Sequence, residues 1–175
     1  YKGGDPTNVE ILAYLYRDAA HSRIKLRDAC QKLETAVNKE AKMKTRQFAR
    51  ESRKTLKRGS IKQHLAELEH GCEVLGDVPL KAKLRGMVKA KEKYRGRLDM
   101  LTDIARTTIV CKSLWTVRRV IKWIKSNAAT MRVVRVKNKL NPAFDASATG
   151  GYRDILINVL MLETNHICEI QITLH

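Results

Sequence analysis

Residues 154–173, DILINVLMLETNHICEIQIT, hold two apolar runs separated by a short polar break. The runs, 154–162 and 167–173, are dominated by Ile, Leu and Val, which suit a pleated, half-buried surface. Glu163-Thr164-Asn165 between them is turn chemistry, so the segment reads as an antiparallel hairpin. Working toward the N-terminus, residues 139–150 form a polar loop and 131–136 (MRVVRV) a further strand. Residues 104–111 (IARTTIVC) are rich in β-branched side chains and read as a buried strand. Between these two strands Ser113 is placed to cap a helix carrying Leu114, Val117, Val120, Ile121 and Ile124. The expected fold is α+β: a small mixed sheet of about four to five strands flanked by helices, preceded by a basic helical region.

The first hundred residues have helical texture. Asp5-Pro6 suits a helix start. No glycine or proline interrupts 7–58, and Ile11, Leu12, Leu15, Ala19, Ile24, Leu26, Leu33 and Val37 recur at roughly helical spacing. A break is expected near His21-Ser22. Gly59-Ser60 reads as a stop followed by an N-cap, opening a helix over about 61–73. Gly76-Asp77-Val78-Pro79 is a second punctuation mark, with a helix from Pro79 to about Tyr94. This divides the chain into a basic helical region, 1–75, and an α/β core, 76–175, expected to be cut short at its C-terminal end. A start at Tyr1 instead of Met predicts a piece of a longer protein.

Composition narrows the function classes. No apolar run is long enough to span a bilayer as a helix, and the start has no signal-peptide pattern. Cys30, Cys72, Cys111 and Cys168 are widely spaced with no CxxC pair, which predicts buried thiols in an intracellular, reducing compartment. His21, His64, His70 and His166 are scattered and make no metal set, and Trp115 and Trp123 read as packing residues. The formal charge of +17 comes from 35 Lys and Arg against 18 Asp and Glu. It favours polyanionic partners: nucleotide phosphates, RNA, an acidic protein or an anionic membrane.

Several residues invite a chemical role. Asp103 stands just before the strand at 104–111. Glu169 shares a strand face with Ile167 and Gln171, so it has either solvent or a site beside it. Arg106, inside an apolar strand, needs a partner if buried: Asp103, Asp154 or a phosphate. Lys137 and Lys139 alternate onto one face of a strand end. Tyr152 follows Gly150 and Gly151, and Arg153 with Asp154 reads as a surface pair.

Three of these segments, taken in order, carry a resemblance. Residues 101–110 (LTDIARTTIV), 135–139 (RVKNK) followed by 150–154 (GGYRD), and 168–172 (CEIQI) resemble the signatures of the RelA/SpoT pyrophosphotransferase core. The likeness spans residues 101–173. It implies Mg²⁺-dependent transfer of pyrophosphate from ATP to the 3′-hydroxyl of a guanine nucleotide. On that resemblance Asp103 and Glu169 are the catalytic and metal-binding carboxylates, Glu169 being a metal contact or the general base. Arg106, Lys83, Arg85 and Lys89 would meet the donor phosphates. Lys137 and Lys139 would meet the acceptor phosphates, Tyr152 would stack on the acceptor base, and Gln171 would belong to the nucleotide site. The sequence departs from the pattern at Leu156, where the family has histidine, at Thr173, where it often has arginine, and at Ala105, where it often has glycine. The acceptor therefore stays open between a guanine nucleotide and, second, an RNA 3′ end.

A competing expectation rests on the run 39–62, with ten basic residues against Glu40 and Glu51. So one-sided a helix face repels itself unless an anion lies beside it. Phe48 is its single aromatic residue, which favours backbone contact over base stacking. In this reading the chain is a catalytically silent module of the same fold, binding RNA or an acidic protein through that run within a larger assembly.

Overall fold

Thr7 and Glu10 open the first helix with a reciprocal cap. Thr7 N–H donates to Glu10 Oε2 (2.7 Å), and Glu10 N–H donates to Thr7 Oγ1 (3.4 Å). The structure, a computed structural model, describes residues 7–52, 71–76 and 78–175. The expected start at Asp5-Pro6, the cap at Gly59-Ser60, the helical turns over 61–70 and Asp77 lie outside the described residues.

Helix α1 (Asn8–Ser52) runs unbroken through 45 residues. The break expected at His21-Ser22 is absent. Ser22 is buried, but its hydroxyl returns a hydrogen bond to the Asp18 carbonyl (2.7 Å) and meets Thr164 Oγ1 at 2.6 Å. The polar residue is satisfied without opening the helical ladder. Leu12, Ala19, Leu26, Leu33 and Val37 are buried along one face, but Ile24, expected on the same stripe, is 47% exposed, because it falls off that face two residues before Leu26.

The remaining elements are β1 (Cys72–Val74), α2 (Lys83–Tyr94), a 3-10 turn at Leu98–Met100, β2 (Arg106–Cys111), α3 (Leu114–Ser126), β3 (Met131–Asn138), β4 (Ile155–Met161) and β5 (His166–Leu174). The fold is α+β, with a five-stranded mixed sheet in the order β1-β2-β5-β4-β3. The β2–β5 pair is parallel and the others are antiparallel. Ser113 caps α3, accepting from Thr116 N–H at 3.2 Å. Asn165, in the expected turn, takes the left-handed conformation (φ 51°) that closes the β4–β5 hairpin.

Two expected helices are corrected. Cys72 and Glu73, expected to end a helix, are strand residues paired with Cys111 and Val110 on the open edge of β2. The helix expected from Pro79 starts at Lys83, because the segment before it is extended and the Lys81 N–H is spent on the Ile104 carbonyl (3.0 Å). Residues on both sides of position 75 thus build one sheet.

Alternation divides the sheet into two faces. Cys168, Ile170 and Ile172 of β5 are fully buried, together with Leu26, Cys30 and Leu33 of α1 and Val120 and Ile124 of α3, in one hydrophobic core. The opposite face carries a polar row set by register: Arg106 beside Glu169, Glu169 beside Asn158, Asn158 beside Arg135. The four cysteines are buried free thiols, and burial pushes each of them up to about 12.

Edge strand β1 is tied to α1 by one side chain. Asn38 accepts from Cys72 N–H (2.8 Å) and donates to the Cys72 carbonyl (3.0 Å). A Cβ on Gly71 would fall 1.7 Å from Asn38 Oδ1, so glycine is required there for contact, not for φ. Asn38→Ala is expected to cost about 1–3 kcal/mol in urea unfolding, since both Cys72 backbone groups lose their partner. Gly71→Ala is expected to be similarly harmful. The double variant should lose less than the sum of the two, because both break the same contact.

Candidate nucleotide site

Asp103 lies in the turn that leads into β2, and its burial would be costly without compensation. Two cations supply it. Lys81 Nζ is 2.6 Å and Lys89 Nζ 2.9 Å from Asp103 Oδ2. Lys81 comes from the extended segment before α2 and Lys89 from the inner turn of that helix. Burial pushes the Asp103 carboxyl up, but the two ammonium groups outweigh it and hold the group below the ordinary aspartate value. Lys89, opposed by burial, is raised by Asp103 and, more weakly, by Tyr94 and Glu169. Asp103 Oδ1 is buried and has no hydrogen-bond partner among the described residues.

Glu169 shows the opposite shift. Burial raises its pKa first, and the nearby Asp103 charge raises it further, against the lowering influence of Lys89, Arg106 and Lys81. The two carboxylates therefore share one electrostatic environment. Their pKa values are pushed apart, one acid held ionised and the other made more basic. Register puts Arg106 directly beside Glu169, and its charge acts to lower that carboxyl. The pair of carboxylates and the unpartnered Asp103 oxygen fit a hard divalent cation, which takes one or two carboxylates and leaves its other positions to water or phosphate. Arg85, Lys89, Leu84 and Val88 of α2 line an open groove together with Asp103 and Lys81.

A second cluster lies one strand step farther along the same face, around Gln171. Its Nε2 donates to Tyr152 Oη (2.7 Å) and to Asp154 Oδ2 (2.9 Å). Lys139 Nζ lies 2.7 Å from Asp154 Oδ1 and 5.8 Å from the Tyr152 ring centre. Tyr152 is half exposed at the end of the Gly150-Gly151 turn, where both glycines have positive φ (62° and 85°). Burial and the Asp154 charge raise its phenol.

The structure thus gathers Asp103, Glu169, Lys89 and Arg106 in one cluster, and Lys139, Tyr152 and Gln171 in another beside it. Arg85 lines the groove of the first. Lys83 is set over the Tyr16 ring of α1 (5.8 Å), and Lys137 over Phe144 (6.0 Å). Two site residues were not foreseen from the sequence. Lys81 falls just outside α2 and carries no periodic signal. Asp154 was expected to make a surface pair with Arg153, but it is buried and bonded to Lys139 and Gln171. Arg153 turns instead to the carbonyls of the 139–144 loop. Strand parity did hold a clue: Asp154 shares the face of Leu156, the register neighbour of Gln171.

Neither a family model nor a curated protein matches this chain. Among solved structures it is similar to small alarmone synthetase 1 from Bacillus subtilis bound to its product pppGpp, at 18% identity and a TM-score of 0.45, covering 59% of this chain and 54% of that one. It is also similar to small alarmone synthetase 2 from the same organism, at 20% identity and a TM-score of 0.46, covering 73% of this chain and 67% of that one. A GTP pyrophosphokinase family protein from Streptococcus pneumoniae is similar at 23% identity and a TM-score of 0.42, covering 79% of this chain and 64% of that one. The chain thus spans about half to two thirds of the length of these proteins. No helix among the described residues is long and apolar enough to cross a membrane.

The raised Glu169 carboxyl has a stability consequence with a definite sign. Its folded pKa exceeds its unfolded one, so between the two values the folded state binds more protons and stability falls as pH rises. Glu169→Gln removes that loss. The variant is expected to melt above the parent at about pH 7.5, with the gap closing toward about pH 4, below the ordinary glutamate value. Melting curves at both pH values check this.

Proposed function

We propose that the chain performs Mg²⁺-dependent transfer of pyrophosphate from ATP to the 3′-hydroxyl of a nucleotide, a guanine nucleotide in the first instance. The observation that carries this reading is that Glu169, on the polar sheet face beside Arg106, lies within the field of Asp103 in the turn before β2, which Lys89 grips. The order of the segments 101–110, 135–154 and 168–172 supports it independently.

The opposite shifts of the two acids suggest different roles. Asp103, held ionised and with one oxygen unpartnered, would hold Mg²⁺. The ion, when bound, supplies charge neutralisation and orientation to the phosphates. Lys81 and Lys89 keep Asp103 fixed, while Arg85 and Arg106 offer planar forks to the donor phosphates. Glu169, made more basic by burial and by Asp103, would take the proton of the acceptor 3′-hydroxyl. The acceptor oxygen then bonds to the β-phosphorus of ATP, the bond from that phosphorus to the α–β bridging oxygen breaks, and AMP leaves. Tyr152 would stack on the acceptor base, and Lys137 would meet its phosphate.

Incubation with radiolabelled ATP, Mg²⁺ and GDP is expected to give a pyrophosphorylated nucleotide. Glu169→Gln and Asp103→Asn should each lower the rate by about 10²-fold or more while keeping a cooperative melt. Undiminished product from Glu169→Gln would reject the assigned base. No product from the parent chain, together with steeply salt-dependent RNA binding, would favour the silent basic module instead.

A further inference from the structure

The cations on the Tyr152 side of the sheet face are largely committed to the protein itself. The Arg153 guanidinium donates to the carbonyl oxygens of Lys139 (3.1 Å), Asn141 (2.8 Å) and Phe144 (2.8 Å), bracing the loop and not facing the site. Lys139 is held 2.7 Å from Asp154, whose carboxylate is buried and also accepts from Gln171. An ammonium already paired with a buried carboxylate offers an incoming phosphate little net attraction. Leu156, between Gln171 and Lys137 in the register, adds no charge. Lys137 is the most loosely held of the three, 6.0 Å from the Phe144 ring centre, the outer limit of a cation–π contact.

We infer that the acceptor is a nucleotide with a short phosphate chain, a mono- or diphosphate and not a triphosphate, and that Asp154 sets this preference by neutralising Lys139. The inference rests on the pyrophosphotransfer reading and specifies its second substrate. Lys137 can turn to one end of a short chain. Each further phosphate meets the Asp154–Lys139 pair and adds negative charge without a counter-charge. The selection is electrostatic, so changing one charge should alter it. Asp154→Asn releases Lys139 to solvent and to phosphate.

Isothermal titration with GMP, GDP and GTP tests this, in Mg²⁺ and with the donor site saturated by a non-hydrolysable ATP analogue. The parent chain is expected to bind GDP about tenfold more tightly than GTP. Asp154→Asn is expected to shift the GTP-to-GDP affinity ratio about tenfold toward GTP. A parent chain that binds GTP as tightly as GDP, or more tightly, overturns the inference. So does an Asp154→Asn variant that is folded by circular dichroism yet keeps the parent ratio. If that variant does not fold, the parent series alone decides. The analogue separates the two levels of the argument. Analogue binding together with a GTP preference removes only the short-chain acceptor, whereas no heat from the analogue or any guanine nucleotide removes the pyrophosphotransfer reading and this inference with it.

Discussion

Parallel pairing of β2 with β5 is the constraint on which the candidate site depends. It sets Arg106 beside Glu169, and the Glu169 N–H bonds the Ala105 carbonyl (3.0 Å), pinning the turn that carries Asp103. Side chains alternate along a strand, so a slip of one residue would bury Glu169 against the helices and bring Cys168 or Ile170 to the polar face. The apolar alternation of Cys168, Ile170 and Ile172 forbids that slip. The core therefore fixes the position of the acid on the opposite face.

Electrostatics then differentiates groups that sequence alone treats alike. Asp103 and Glu169 are both largely removed from water, but two lysines reach Asp103 directly while Glu169 lies within its field. Burial without a direct partner makes Glu169 the more basic acid, and direct ion pairing keeps Asp103 charged. A buried pair of this kind contributes little net stability, because desolvation offsets most of the attraction. Its consequence is positional: Lys81 and α2, through Lys89, are drawn onto the end of the sheet. The Asp154–Lys139 pair acts in the same way at the Tyr152 end, anchoring the residue that follows β3 to the residue that precedes β4.

Long helix α1 helps to fill the apolar face of the sheet. Its buried stripe packs on the apolar sheet face, and Asn38 extends that contact to the edge strand β1. Glu40 of α1 accepts from Arg119 Nε of α3 at 2.8 Å, joining the two helices that cover this face. With one face so filled, the row of Arg106, Glu169 and Asn158 lies on the other.

Local order was legible in the sequence. β-Branched runs gave the strands over 106–111, 155–161 and 166–174, a serine gave the cap of α3, and alternation put Glu169 and Gln171 on one face. These features depend on neighbours within a few residues, where sterics and parity act. Strand β1, the continuity of α1 through Ser22, the grip of Lys81 on Asp103 and the burial of Asp154 were not legible. Each depends on a partner far along the chain: β2 for the short strand, Thr164 for Ser22, the start of β2 for Lys81, and Gln171 for Asp154. A sequence records which groups are charged or apolar. Which charge meets which depends on how the folded backbone closes the distance between them, and that was settled by the packing of β5 between β2 and β4.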